Sequence, residues 1–180
     1  AFARQTEPMH SSCNINDIVE NTLHILDHVL KENNITYITK LDFGLPETIA
    51  DKAQIQQVLL NIVVNAQQAM SGFRGRGNIL IQTKYVDDLV KISVKDDGPG
   101  ISTEEMERIF EPFFTTKHSG TGLGLSICHG IIAEHNGMIY AESEDGKGAT
   151  FIVELPVIKQ ESEEKVKPLI LPNPLIKRKE

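Results

Sequence analysis

The sequence predicts an α/β protein: a two-layer sandwich in which a mixed five-stranded sheet is covered on one face by three main helices. Three observations carry that prediction. Three stretches repeat apolar residues at helical spacing, and five others alternate apolar with polar residues or are rich in β-branched side chains. Short, turn-rich connections join two pairs of the strand-like stretches into antiparallel hairpins, which favours a sandwich over a doubly wound parallel sheet.

In chain order, NDIVENTLHILDHVLKENN sets Ile18, Val19, Leu23, Ile25, Leu26, Val29 and Leu30 mostly on one helical face, with Asn14 or Asn16 as N-cap. ITYITKLD follows as a strand, and FGLPETIAD connects it to a second helix from Lys52 to about Ser71. NILIQTKY and LVKISVKD form a hairpin around VDD. Ser102 with Glu105 in STEEMERIF is a capping box for a short helix. GLGLSICHGIIAEHNG is a third long helix, expected to close at Gly137 as its C′ residue. MIYAESEDGKGATFIVELP returns as a hairpin turned at DGKG. Beyond Pro156 the pattern dissolves into charge runs and prolines, so residues 157–180 are expected to be a flexible or extended tail.

With 180 residues the chain suits one domain with a sizeable core. Net charge is −7 and the acids are dispersed, so no basic stripe exists to neutralise a nucleic acid, and any phosphate must be held locally. Cys13 and Cys128 lack the spacing of a disulfide framework or a zinc site, which fits a reducing compartment. AFARQTEP has no signal-peptide pattern, and no apolar run approaches the roughly 18 residues that a membrane span needs. The expectation is a cytoplasmic domain without direct membrane contact, whose longer parent could still be membrane-anchored.

Three stretches carry chemistry. Ala53 to Phe73 contains no charged side chain, and Gln54, Gln57, Asn61, Asn65 and Gln68 form an all-amide stripe beside its apolar face. Asparagine is a poor interior helix residue, so Asn61 and Asn65 require either backbone partners or a ligand, and an amide carbonyl is a hard neutral oxygen suited to Mg²⁺. DDGPGI, at the end of a strand, is either a surface turn or a ligand-facing acid beside glycines. TTKHSGTGLGLS sets Gly120, Gly122 and Gly124 before an apolar helix, either as a flexible linker or as backbone N–H groups that approach phosphate at a helix start. Lys117 and the hydroxyls of Thr115, Thr116 and Thr121 add donors there. The GxGxG spacing, with no strand directly before it, supports neither a dinucleotide fold nor a Walker A loop.

The order QVLLNIVVNAQQAM, DDGPGI, FEPFFTTK, GTGLGLS, GKGATF resembles the N, G1, F, G2 and G3 boxes of the ATP-binding catalytic domain of two-component sensor histidine kinases, most of all the nitrogen-regulation type. The resemblance spans roughly Asn14 to Pro156 and implies the Bergerat fold, shared with the HSP90, MutL and type II topoisomerase ATPases. It implies ATP and Mg²⁺ as cofactors. Asp96 would accept a hydrogen bond from the adenine amine, with Gly98 and Gly100 giving the base room. A carboxylate there rejects guanine, whose carbonyl oxygen would face acceptor against acceptor. Asn65 would ligate Mg²⁺, with Asn61 as a second contact to metal or phosphates, and Lys117 joins both as a catalytic group. Gly120, Thr121, Gly122 and Gly124 would form a phosphate-facing lid turn, with Thr116 beside it. Ile101, Leu123 and Leu125 count among the nucleotide-contacting residues. Phe110, with Phe113 and Phe114, is either the lid's hydrophobic hinge or plain core. Thr150 either assists at adenine or packs in the sheet, and Asp97 is expected to be solvated.

Two departures shape the expected function. None of the six histidines sits in the family's phosphoacceptor context, so the acceptor would lie on a separate dimerisation domain of the same kinase, with residues 1–13 as a remnant of the linker to it and residues 14–156 as the catalytic domain. The position where hydrolysing relatives carry a general-base glutamate is Asn61, and an amide cannot take a proton from water. The resemblance therefore implies a histidine kinase catalytic domain, monomeric by itself, that reaches a response regulator through the full-length kinase. A stand-alone ATPase of the same fold and a non-catalytic ATP-sensing module are the alternatives.

Overall fold

Asn14 starts α1 (Ile15–Glu32) by accepting the Asn16 N–H at its side chain, the local geometry that an N-cap asparagine supplies. A computed structural model describes residues 9–117 and 120–158; residues 1–8 and most of the expected tail, 159–180, lie outside it. Ile15, Ile18, Val19, Leu23, Leu26 and Leu30 form the buried stripe of α1. Ile25 and Val29, expected on that stripe, lie on its flank and are 55% and 41% exposed, because successive 100° steps rotate them away from its centre near Leu26.

Strand β1 (Ser11–Cys13) pairs antiparallel with β3 (Thr48–Ala50), outside the main sheet. Three residues each are too few for a periodic pattern, and Thr48–Ala50 lies within the stretch expected to be a connector. The main sheet is ordered β2-β4-β5-β7-β6, from β2 (Ile35–Lys40), β4 (Gly77–Val86), β5 (Leu89–Asp96), β6 (Met138–Ser143) and β7 (Ala149–Pro156). The β2 and β4 pair is parallel and the others are antiparallel, so the sheet is mixed, as predicted. Asp87 and Asp88, at φ +53° and +59°, make the two-residue turn between β4 and β5, the left-handed pair that matches strand twist in a tight hairpin.

Helix α2 (Lys52–Arg74) is capped by Asp51, whose Oδ1 accepts from Ala53 and Gln54 N–H groups, and it ends at Gly75 with φ +68°. It runs a turn past the expected end and packs between α1 and α4 (Gly124–Glu134) over β4 and β5. Ile55, Val58, Leu59, Ile62, Val63 and Met70 of α2 meet Ile79, Ile81, Ile92 and Val94 of the sheet in one continuous core. The short α3 (Thr103–Met106) carries the predicted Ser102–Glu105 capping box. At the end of α4 the left-handed residue is Asn136 at φ +53°, not Gly137. Asn136 N–H bonds Ala133 O and Gly137 N–H bonds Ile132 O, both at 2.9 Å, the paired pattern that places glycine one position further on. Gly137 is needed for space instead, since a β-carbon would run into the Glu154 carbonyl and sit 3.0 Å from Ile132 Cγ2.

Candidate functional site

The register pairs Asp96 with Ile79, which turns the Asp96 side chain to the helix-covered face, beneath the end of α2. Asp96 is 4% exposed. Its Oδ1 accepts the N–H of Gly98 at 2.8 Å and of Ala149 at 3.3 Å. Burial pushes its pKa above the ordinary carboxylate value; those two N–H groups oppose the shift, and the charge of Asp97 adds to it. Among the described residues no donor meets Oδ2, so a buried carboxylate keeps a free acceptor. That is the fit an adenine amine requires.

A β-carbon at Gly98 would lie 2.8 Å from Asp96 Oδ1 and 3.3 Å from Met70 Cγ, so glycine lets the turn close over the carboxylate. Gly100 turns at φ +80°. The turn between β6 and β7 is joined to this turn by hydrogen bonds. Ser143 Oγ accepts from Ile101 N–H at 2.8 Å and donates to Gly148 O at 2.9 Å, and Gly146 N–H reaches Pro99 O at 2.7 Å. The GKGATF hairpin is thereby sewn to DDGPGI. The glycine pair of that hairpin, expected both as its turn and as part of the G3 box, is the signal for this junction, whereas Ser143 carries none in the sequence.

Two expectations are corrected here. Thr150 pairs with Lys95, one residue out of phase with Asp96, so the pleat sends its hydroxyl to the opposite sheet face. Ala149 occupies the place beside Asp96, and the contribution there is its backbone N–H. Asp97 is half-buried rather than solvated: Asn78 donates from its backbone and side chain to the two carboxylate oxygens, each at 2.8 Å. Burial alone would raise the Asp97 pKa, and the Asn78 bonds outweigh it and hold the group below its ordinary value.

The amide stripe of α2 divides. Asn65 Oδ1 and Gln68 Oε1 both accept from Lys117 Nζ, at 3.0 and 2.7 Å, and burial pushes the Lys117 pKa down. Asn65 Oδ1, an amide carbonyl oxygen, is the hard neutral kind of ligand that a cation such as Mg²⁺ takes. Gln68 makes the shorter of the two bonds to Lys117, a role that its place in the amide stripe does not by itself indicate. Asn61 faces elsewhere: its Nδ2 donates to Gly124 O at 3.4 Å and contacts Cys128 Sγ at 3.6 Å, tying α2 to α4.

Between α3 and α4 the chain forms a loop over this face. Gly122, at φ +67°, accepts from Phe113 N–H at 2.9 Å, and Gly120 N–H bonds Lys117 O at 3.1 Å. Thr116, Gly120 and Thr121 are exposed, and Leu123 N–H contacts Thr121 Oγ1 at 3.4 Å. No side chain caps the N-terminus of α4, which leaves its first N–H groups open to an anion. Phe110 and Phe114 pack against the core along with Ile101 and Leu125, whereas Phe113 is 76% exposed. The turn after Asp96 approaches α2 at Ala69 and Met70, and Lys117 meets the same helix at Asn65 and Gln68.

Residues 50–159 match the family described as histidine kinase-, DNA gyrase B-, and HSP90-like ATPase. The chain is similar to the signal transduction histidine-protein kinase AtoS of Escherichia coli (strain K12), with 42% identity over 87% of this chain and 25% of AtoS. It is similar to sporulation kinase E of Bacillus subtilis (strain 168), with 38% identity over 91% of this chain and 22% of that kinase. The chain therefore spans about a quarter of the length of these curated relatives. Among solved structures, the nucleotide-free catalytic domain of histidine kinase ThkA superposes with a TM-score of 0.74 at 38% identity, covering 82% of this chain and 95% of that one. Full-length ShkA in complex with AMPPNP gives 0.77 at 29% identity, covering 88% of this chain and 33% of that one. Among the described residues no helix is long and apolar enough to cross a membrane.

Proposed function

The chain belongs to the histidine kinase-, DNA gyrase B- and HSP90-like ATPases, as the ATP-binding catalytic domain of a sensor histidine kinase, and on that premise we propose how its residues hold ATP and Mg²⁺ for phosphoryl transfer. The γ-phosphoryl group passes to a histidine on a separate dimerisation domain of the parent kinase, and from there to a response regulator. A solved complex of ThkA with the response regulator TrrA supports such a partner by likeness.

The observation that carries this reading is the free Oδ2 of buried Asp96. It offers an acceptor to the exocyclic amine of adenine and repels the carbonyl of guanine. Gly98 and Gly100 give the base its room, while Ser143 and Gly148 hold the two turns together around it. Asn65 would hold Mg²⁺, which supplies charge neutralisation across the phosphates. Lys117 is the cation next to that point, and the glycine turn with the uncapped start of α4 offers backbone N–H groups to the phosphates. Asn61 cannot act as a base toward water, so the domain retains ATP until an acceptor histidine arrives in line.

The test is phosphotransfer from γ-labelled ATP to an added dimerisation domain of the same kinase. Label on the acceptor histidine is the expected result. Sustained phosphate release without an acceptor would favour a stand-alone ATPase, and binding without transfer would favour an ATP-sensing module; either contradicts the proposal.

A further inference from the structure

Lys117 reaches from the loop before α4 across to α2 and places one ammonium on two amide oxygens, Asn65 Oδ1 at 3.0 Å and Gln68 Oε1 at 2.7 Å. Among the described residues, these are the hydrogen bonds that join the segment from Thr115 to Thr121 to α2. The shorter of them goes to Gln68, one turn beyond Asn65 on the same flank. A hard dication binds an amide oxygen at about 2.0–2.1 Å and organises several oxygens around itself. It cannot share Asn65 Oδ1 with an ammonium 3.0 Å from that oxygen, since like charges at such separation repel strongly. Lysine and metal therefore exclude one another at Asn65.

We propose that Lys117, seated by Gln68, latches the loop to α2 until a Mg²⁺–triphosphate arrives, and that the metal displaces the ammonium from Asn65 and frees it for phosphate. Gln68 is a positioning residue: it acts on the loop through Lys117. The lysine suits the role because it is a compact charge on a flexible stem, so it can change partners without moving the backbone far. Gln68 is exposed, and among the described residues its side chain makes no hydrogen bond other than the one to Lys117, so its replacement spares the fold. This inference rests on the nucleotide-binding reading of the same face.

Gln68→Leu separates the possibilities. Backbone hydrogen exchange of residues 112–123 is measured on the nucleotide-free chain, and the Mg²⁺ concentration that half-saturates ATP binding is measured by titration. A latch predicts exchange faster by roughly three- to tenfold in the variant, the range expected for one lost hydrogen bond, and a half-saturating Mg²⁺ concentration lowered by a similar factor. Were Gln68 itself a metal or phosphate contact, the Mg²⁺ requirement would rise instead, and the latch would be wrong. Native-like exchange with an unchanged Mg²⁺ dependence also overturns it. Complete failure of the native chain to bind ATP contradicts the proposed function and with it the release step, whereas binding with a latch-insensitive Mg²⁺ dependence contradicts the latch alone.

Discussion

Gly148 packs against the backbone carbonyl of Asp96 so closely that a β-carbon could not be accommodated, and it does so at φ +87°. Both constraints act on one residue, so Gly148→Ala combines a steric clash with a left-handed backbone that alanine adopts poorly. The expected cost is more than about 2 kcal/mol, read as a lower urea midpoint, with ATP affinity falling as the two turns part.

Ser143→Ala removes the hydroxyl that accepts from Ile101 and donates to Gly148. The Ile101 N–H and the Gly148 carbonyl lose a partner in a half-buried place, for an expected destabilisation of about 1–3 kcal/mol. Hydrogen exchange should localise the loosening to residues 98–101 and 144–148. Ser143→Thr keeps the hydroxyl and should recover part of the loss.

Asp96→Asn is expected to stabilise the nucleotide-free fold by on the order of 1 kcal/mol, since it neutralises a buried charge kept for function. The amide oxygen can still accept from Gly98 and Ala149. Because burial raises the folded pKa of Asp96 above its ordinary 3.8, the native chain binds this proton more readily when folded. Its ionisation penalty is present at neutral pH and is relieved as the pH falls through the raised value. The difference in melting temperature between variant and native chain should therefore narrow before the pH reaches 3.8.

On the opposite sheet face, Glu154 Oε1 accepts from Lys91 Nζ at 2.9 Å and from Tyr140 OH at 2.8 Å. These donors hold the Glu154 pKa below its ordinary 4.5. A depressed carboxylate contributes stability above that value and loses it as the pH falls through the folded pKa. Lys91 is 39% exposed, so screening limits the effect, and Glu154→Gln should cost about 1 kcal/mol at pH 7. Urea titrations should show that difference shrinking below pH 4.5 and in high salt.

Elements with long periodic patterns were legible in the sequence: α1, α2, both hairpins and the Ser102–Glu105 box stand where their spacing put them. What escaped was set by tertiary packing. The β1–β3 pair is too short to alternate visibly, and the Gly137 requirement comes from a carbonyl of β7 that is distant in sequence. Asp96 was legible because an acid between a strand end and two glycines is locally unusual. The substitution of Ala149 for Thr150 at its side was not, since a motif gives residue types but only strand register decides which of two neighbours faces inward. Likewise the amide stripe pointed to Asn65, while the pairing of Gln68 with Lys117 depended on a loop crossing from far along the chain.

The most direct test of the central claim is calorimetric titration of the native chain and of Asp96→Asn with ATP and with GTP in Mg²⁺. The account predicts that the native chain binds ATP and not GTP, and that the substitution weakens ATP by about 100-fold or more, the loss expected at a site built around one hydrogen-bonded partner. Equal binding of the two nucleotides, or undiminished ATP binding by a folded Asp96→Asn chain, would contradict it.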